Sequence, residues 1–323
     1  MVFSACLATF LVLGLVPSSL GAQYLLKENI IGSGFYDHFD WEAVDDPSHG
    51  RVTYVDMQTS IEQNLTYGHH DTFILRTDFQ SVLQPDGPGR NSVRIRSKNT
   101  YTTHVAIFEM RHMPQGCGTW PAIRETKESD KPAGGLVDIL EGVNDQAPDT
   151  VTLHTIEGCT MPANRSQTGI TRQLDCNVAV NSNAGCGVSL TEPANYGPDF
   201  NANGGGWYAI ERAADHISIW FWPRSDRRVP HQVKSGGVLV NPKEWGTPSA
   251  FFPNTSCDMT KFFEEHNIII NLTLCGDWAG SAYSSTDCPS TCIDHVNNDP
   301  AAFKDAYFDF AAVRVYEPLV SDK

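Results

Sequence analysis

Gly134-Gly135-Leu136-Val137-Asp138-Ile139-Leu140-Glu141-Gly142 is the stretch on which both fold and chemistry turn. On an extended strand, side chains two apart share a face, so Leu136 and Asp138 point the same way. Glu141 lies three residues further on and would face the other side. A one-residue β-bulge at Ile139-Leu140 would bring it back, and bulges are common beside active sites. One face would then carry Leu136, Asp138 and Glu141 in a row, flanked by glycines that let backbone or ligand approach closely. Spacing alone is equally compatible with an ordinary strand bearing solvated acids.

Outward from that stretch, periodicity again points to strands. Val52-Thr53-Tyr54-Val55, Val93-Arg94-Ile95-Arg96, His216-Ile217-Ser218-Ile219-Trp220 and Val313-Arg314-Val315-Tyr316 alternate or carry β-branched and aromatic residues. Turn signals such as Pro85-Asp86-Gly87-Pro88-Gly89 and Asn203-Gly204-Gly205-Gly206 separate them. Thr260 to Glu265 has the makings of a helical turn or two. Many short strands with Gly- and Pro-rich turns predict an all-β sandwich or jelly roll. No Pro/Ser-rich linker, charge block or repeat interrupts the chain, so residues 23–323 are expected to form one domain.

The apolar run Ala5 to Val16, followed by Pro17-Ser18-Ser19-Leu20-Gly21-Ala22, reads as a secretory signal peptide over residues 1–22. It is short for a bilayer span, which needs roughly 20 apolar residues. Cys6 would leave with it, and Cys117, Cys159, Cys176, Cys186, Cys257, Cys275, Cys288 and Cys292 remain, an even set that suggests disulfides. Zinc ligation is the weaker reading, since no Cys-x-x-Cys pair occurs. Sequons at Asn64, Asn164, Asn254 and Asn271 agree with export. The last residues, Pro318 to Lys323, offer no hydrophobic tail for a lipid anchor. The formal charge of -15 comes without a basic stripe, which argues against nucleic acid and anionic membranes as partners. A neutral polysaccharide would be indifferent to that charge. Trp and Tyr supply faces that could grip sugars.

Gly135-x-Val137-Asp138-Ile139-Leu140-Glu141-Gly142-Val143-Asn144 resembles the signature of glycoside hydrolase family 16, in its fungal endo-β-1,3(4)-glucanase branch, where members read Glu-x-Asp-x-x-Glu. The similarity extends to Gly116-Cys117-Gly118-Thr119-Trp120-Pro121-Ala122, Leu153 to Met161, Gly204 to Ala209 with Ile219 to Arg224, Cys275 to Gly280 and Phe308 to Tyr316. These blocks, in order, cover nearly the whole of residues 23–323. The resemblance implies a concanavalin A-like jelly-roll sandwich with a β-glucan cleft across its concave sheet.

Position by position, it puts Glu141 where the family has its general acid/base and Asp138 where it has the orienting carboxylate. Leu136 falls where the nucleophile should be. Retaining glycosidases need two carboxyl groups roughly 5 to 5.5 Å apart, one attacking the anomeric carbon and one protonating the leaving oxygen. Leucine has no lone pair and cannot form the glycosyl-enzyme. The expected function is therefore β-1,3(4)-glucan binding with hydrolysis lost or strongly impaired. Two alternatives stand beside it: an active glucanase using Glu141 with an unrecognised partner, and a scaffold redirected to another ligand. Glu125 and Glu128 are the candidate carboxylates for that partner.

Just upstream, the family usually follows Trp-Pro-Ala with an aromatic pair, where this chain has Ile123-Arg124. Arg124 is either a cleft residue or a surface arginine paired with Glu125 or Glu128. Trp120 and Trp207 are candidates for sugar stacking, and His154 for a supporting role in the cleft; each has a purely structural alternative. Trp220 and Trp222 share a strand face, and at least one reads as core. Asp277-Trp278, in a Cys-bounded turn, reads as architectural. No cofactor is expected; a structural calcium ion is plausible by resemblance, without an assignable ligand set. A monomer is the expected state.

Overall fold

The computed structural model describes residues 23–319; the expected leader, 1–22, and residues 320–323 lie outside the described residues. Two antiparallel sheets pack face to face. The larger orders its strands Leu239–Val240, Tyr24–Ile30, Tyr307–Pro318, His104–His112, Gly206–Arg212, His216–Pro223 and Ala250–Pro253, with Thr66–His69 and Thr72–Arg76 joined at Tyr307–Pro318. The second orders Ile170–Thr171, Cys186–Ser189, Thr150–His154, Leu136–Glu141, Thr119–Thr126, Asn267–Leu274, Arg94–Ser97 and Phe39–Trp41. Val52–Tyr54 and Arg90–Ser92 form a small parallel pair.

Period-2 patterning decides which way each sheet faces. Val137, Ile123, Ile270 and Val151 of the second sheet interlock with Phe108, Tyr208, Ile219 and Val313 of the first in one core. The alternate residues of the second sheet point outward and build the candidate site. The outer face of the larger sheet is not left bare: Trp207, Trp220, Trp222 and Trp245 form a second apolar cluster there. Both Trp220 and Trp222 are thus core, their rings parallel at 6.5 Å. Thr260 and its neighbours form one short helix, Met259–Phe262.

The eight cysteines of the described residues pair as Cys117–Cys288, Cys159–Cys257, Cys176–Cys186 and Cys275–Cys292. The sequons divide. Asn64, Asn164 and Asn254 are exposed, whereas Asn271 is buried in the middle of its strand with its amide donating to the Tyr54 hydroxyl at 3.1 Å. No helix among the described residues is long and apolar enough to cross a membrane.

Candidate active site

The bulge expected in the carboxylate strand is present. Leu136 stands opposite Thr126 and Asp138 opposite Arg124; the register then shifts, and Glu141 stands opposite Ala122. Leu136, Asp138 and Glu141 consequently share the outward face, while Val137, Ile139 and Leu140 enter the core. The Glu141 amide, freed from the regular ladder, donates to the Asp149 carboxylate at 2.8 Å. Burial pushes the Asp149 carboxyl well above its ordinary range. At the strand's ends two glycines are obligatory: a Cβ on Gly135, whose φ is +80°, would sit 2.3 Å from the Phe262 carbonyl, and one on Gly142 would meet the Tyr196 ring at 2.4 Å.

Arg124 reaches across the strand pair into this row. Its Nη2 donates to Glu141 Oε1 at 2.6 Å, and its Nε lies 3.2 Å from Asp138 Oδ1, an ion-pair contact without hydrogen-bond alignment. Trp120 Nε1 donates to the same Glu141 oxygen at 3.0 Å. His154 closes the far side: Nε2 is 3.5 Å from Asp138 Oδ2, and Nδ1 is 3.0 Å from Asn183 Oδ1.

Burial dominates the electrostatics. It raises the Glu141 carboxyl, reinforced by Asp138 and opposed by Arg124, His154 and the Trp120 N–H. It raises Asp138 too, against the pull of Arg124 and Lys131. It lowers His154, against Glu141 and Asn183. For Arg124, burial works to lower the guanidinium, but Asp138 and Glu141 outweigh it and the charge is held more firmly. The Glu141 carboxyl is therefore pulled two ways, toward the neutral form by burial and toward the carboxylate by the guanidinium bonded to it. Beside it stands Leu136, 4 % exposed and chemically inert.

Several expected residues come together here, and others do not. Trp120 is at the site but only 9 % exposed, so its ring edge serves Glu141 and little face is open for stacking. Trp207 is corrected outright: it is 1 % exposed in the cluster on the far side of the larger sheet, under the Arg224 guanidinium at 3.9 Å. Strand alternation revealed that it had a face, not which of two apolar faces it was. Ile123 belongs to the core, so only Arg124 of that pair alters the cleft. Glu125 also points inward, bonded to His104 at 2.8 Å and Arg212 at 3.2 Å, and cannot serve as the missing partner. Glu128 is taken up by Arg94. Trp278, read as architectural, is 38 % exposed and edge-on to Trp120 at 5.7 Å, making it an open aromatic surface on the cleft wall. Asp149 and Asn183 were missed altogether; nothing in their local sequence marks them. Among the described residues no group of three or more His, Cys, Asp or Glu side chains is placed to hold a metal ion.

The geometry has counterparts of known structure. Laminarinase 16A from Phanerochaete chrysosporium, solved with 6-O-glucosyl-laminaritriose in both donor and acceptor sites, shares 56 % identity and superposes with a TM-score of 0.91 over 92 % of this chain and 100 % of its own. An elongating family 16 β-1,3-glucosyltransferase shares 36 % identity at a TM-score of 0.84, over 91 % of this chain and 99 % of that one. A probable glycosidase of Schizosaccharomyces pombe is 40 % identical over 93 % of this chain and 71 % of its own length. The chain spans about half, 46 %, of several other curated relatives, such as a probable endo-1,3(4)-β-glucanase of Neosartorya fischeri that is 38 % identical over 92 % of this chain. Residues 39–316 match the profile described as "XgeA-like, catalytic GH16 domain". With the two-sheet sandwich and the outward row on Leu136–Glu141 already in place, the chain belongs to glycoside hydrolase family 16.

Proposed function

We propose that this protein binds β-1,3(4)-glucan in the cleft over the second sheet and has lost, or nearly lost, the ability to hydrolyse it. The observation that carries the reading is Leu136, which shares the outward face with Asp138 and Glu141 and brings no carboxylate to it. Removing an attacking nucleophile costs on the order of 10⁶ in kcat in a comparable covalent enzyme. The other carboxylates nearby do not compensate, because Glu125 faces the core and Glu128 is held by Arg94. The binding half rests on relatives: Laminarinase 16A carries a β-glucan oligosaccharide in its donor and acceptor sites. The exposed ring of Trp278 supplies an apolar face of the kind sugars stack on. Export to the extracellular space belongs to the same reading and is supported by the apolar leader, the paired cysteines and three exposed sequons.

The test is a calorimetric titration with laminari-oligosaccharides, followed by chromatography of the recovered sugar. Saturable binding with the oligosaccharide intact is expected. Absence of binding would favour the redirected-scaffold alternative, and cleavage that vanishes in Glu141→Gln would favour an active enzyme with an unrecognised partner.

A further inference from the structure

We propose that Arg124 is a second, independent block on hydrolysis: its guanidinium holds Glu141 as a carboxylate and so removes the general acid from a site that also lacks its nucleophile. The inference rests on the reading of Leu136 given above and goes beyond it, because it says that restoring a carboxylate at position 136 is not enough.

Arg124 is bonded more narrowly than three arginines of the interior, Arg94, Arg90 and Arg212. Arg94 is shared between Glu42 and Glu128, and Arg90 between Asp78 and the Val296 carbonyl. Arg212 divides its donors among Glu125 and the carbonyls of Tyr101, Phe263 and Glu264. Arg124 makes one aligned hydrogen bond, to Glu141 Oε1 at 2.6 Å, and its Nε is left without an aligned partner. A bond of that length between guanidinium and carboxyl is of the charge-assisted kind, which requires the carboxylate form. Oε1 also accepts the Trp120 N–H, so two donors converge on one oxygen.

Cleaving a glucan calls for the opposite state. The departing sugar oxygen is a poor leaving group and must receive a proton from the acid as the bond to the anomeric carbon breaks, so the acid must be neutral beforehand. Burial and the neighbouring Asp138 raise Glu141 toward that neutral form, and Arg124, bonded to it directly, is the largest of the groups that hold the rise back. A carboxylate introduced at position 136 would meet the same cation. Position 136 faces Thr126, two residues along the partner strand from Arg124, and such diagonal neighbours lie within reach of long side chains. The ionised state suits a nucleophile but not an acid, so the cation costs the site its acid and not the restored nucleophile.

The experiment compares Leu136→Glu with Leu136→Glu/Arg124→Gln on two substrates: laminarin, and a dinitrophenyl β-laminaribioside whose phenolate leaves without a proton. Gln keeps a donor for Glu141 but no charge. General acid catalysis contributes about 10²- to 10⁴-fold. Leu136→Glu is therefore expected to cleave the dinitrophenyl glycoside while leaving laminarin essentially uncut. The double variant should cleave laminarin about 10²-fold faster or better, with the alkaline limb of its pH profile moved upward. Equal laminarin rates in the two variants would overturn the proposal. So would a double variant that cleaves the dinitrophenyl glycoside, showing it folded and competent, yet gains nothing on laminarin. Failure of both variants on the dinitrophenyl glycoside, despite laminari-oligosaccharide binding, would overturn the reading of Leu136 itself and this inference with it.

Discussion

At the scale of single residues, the division of labour among tryptophans gives a direct prediction. Trp278 has an exposed ring on the cleft wall, whereas Trp207 is sealed into the outer cluster. Trp278→Ala is expected to weaken laminari-oligosaccharide binding by roughly 1 kcal/mol or more, the scale of a lost aromatic contact, and to leave the melting temperature nearly unchanged. Trp207→Ala should do the reverse, costing about 3 to 5 kcal/mol of stability through the cavity it leaves. Calorimetric titration and thermal melting of the two variants separate these outcomes. The row Leu136, Asp138, Glu141 was legible in the sequence because strand alternation and one bulge suffice to align it. Trp207 was not, because a sandwich with an apolar cluster on its outer side offers two burials with the same alternation. Trp278 escaped for a different reason: a ring in a disulfide-bounded turn carries no periodic signal of which side meets solvent.

At the scale of the strand, the bulge depends on Asp149. Its carboxyl takes the Glu141 amide that the ladder gives up, and its own amide is bound by Asn195 at 2.7 Å. Asp149→Ala leaves a buried N–H without a partner and is expected to cost about 1 to 3 kcal/mol, visible as a lower denaturation midpoint. Asp149→Asn keeps an acceptor but cannot ionise. Because burial raises the Asp149 carboxyl in the folded protein, its contribution is fully present below the unfolded value of 3.8 and is lost as pH rises through the folded one. The Asn variant should therefore lose less stability than the wild type as pH rises above 3.8, as measured by urea unfolding across the range. Gly142→Ala, which drives a methyl into the Tyr196 ring, tests the same strand end and should lower the melting temperature. Strand positions and the bulge could be read from residue types. The support from Asp149 could not, since it links a side chain to a backbone amide eight residues away and leaves no pattern in either.

At the scale of the molecule, the two sheets are tied together near the site by a buried polar group. Glu125 of one sheet meets His104 and Arg212 of the other, and His266 is bonded to the Gly134 carbonyl at 2.6 Å. Burial would raise Glu125, but His104 and Arg212 hold it down at about 2, against an ordinary 4.5. Its stabilisation is present above about 4.5 and lost as pH falls through about 2. Burial, helped by Arg212, lowers His266 from 6.5 to about 3, so the unfolded chain takes up a proton that the folded one refuses, and stability declines as pH falls across that interval. Each group contributes a slope of at most about 1.4 kcal/mol per pH unit. His266→Gln should flatten the fall between pH 6.5 and 3, as read by chemical denaturation. The sandwich itself was foreseeable from short alternating strands and from similarity along the chain. The inward turn of Glu125 beside the outward Arg124 was not weighed in the sequence, although alternation contained it.

The proposal is that a family 16 frame with leucine at position 136 holds glucan without cutting it. Reducing-end release from laminarin by the unaltered protein tests this most directly. Release at roughly 10⁶-fold below an ordinary glucanase, indistinguishable from Glu141→Gln, is expected; turnover at rates normal for an active family member would rule the proposal out.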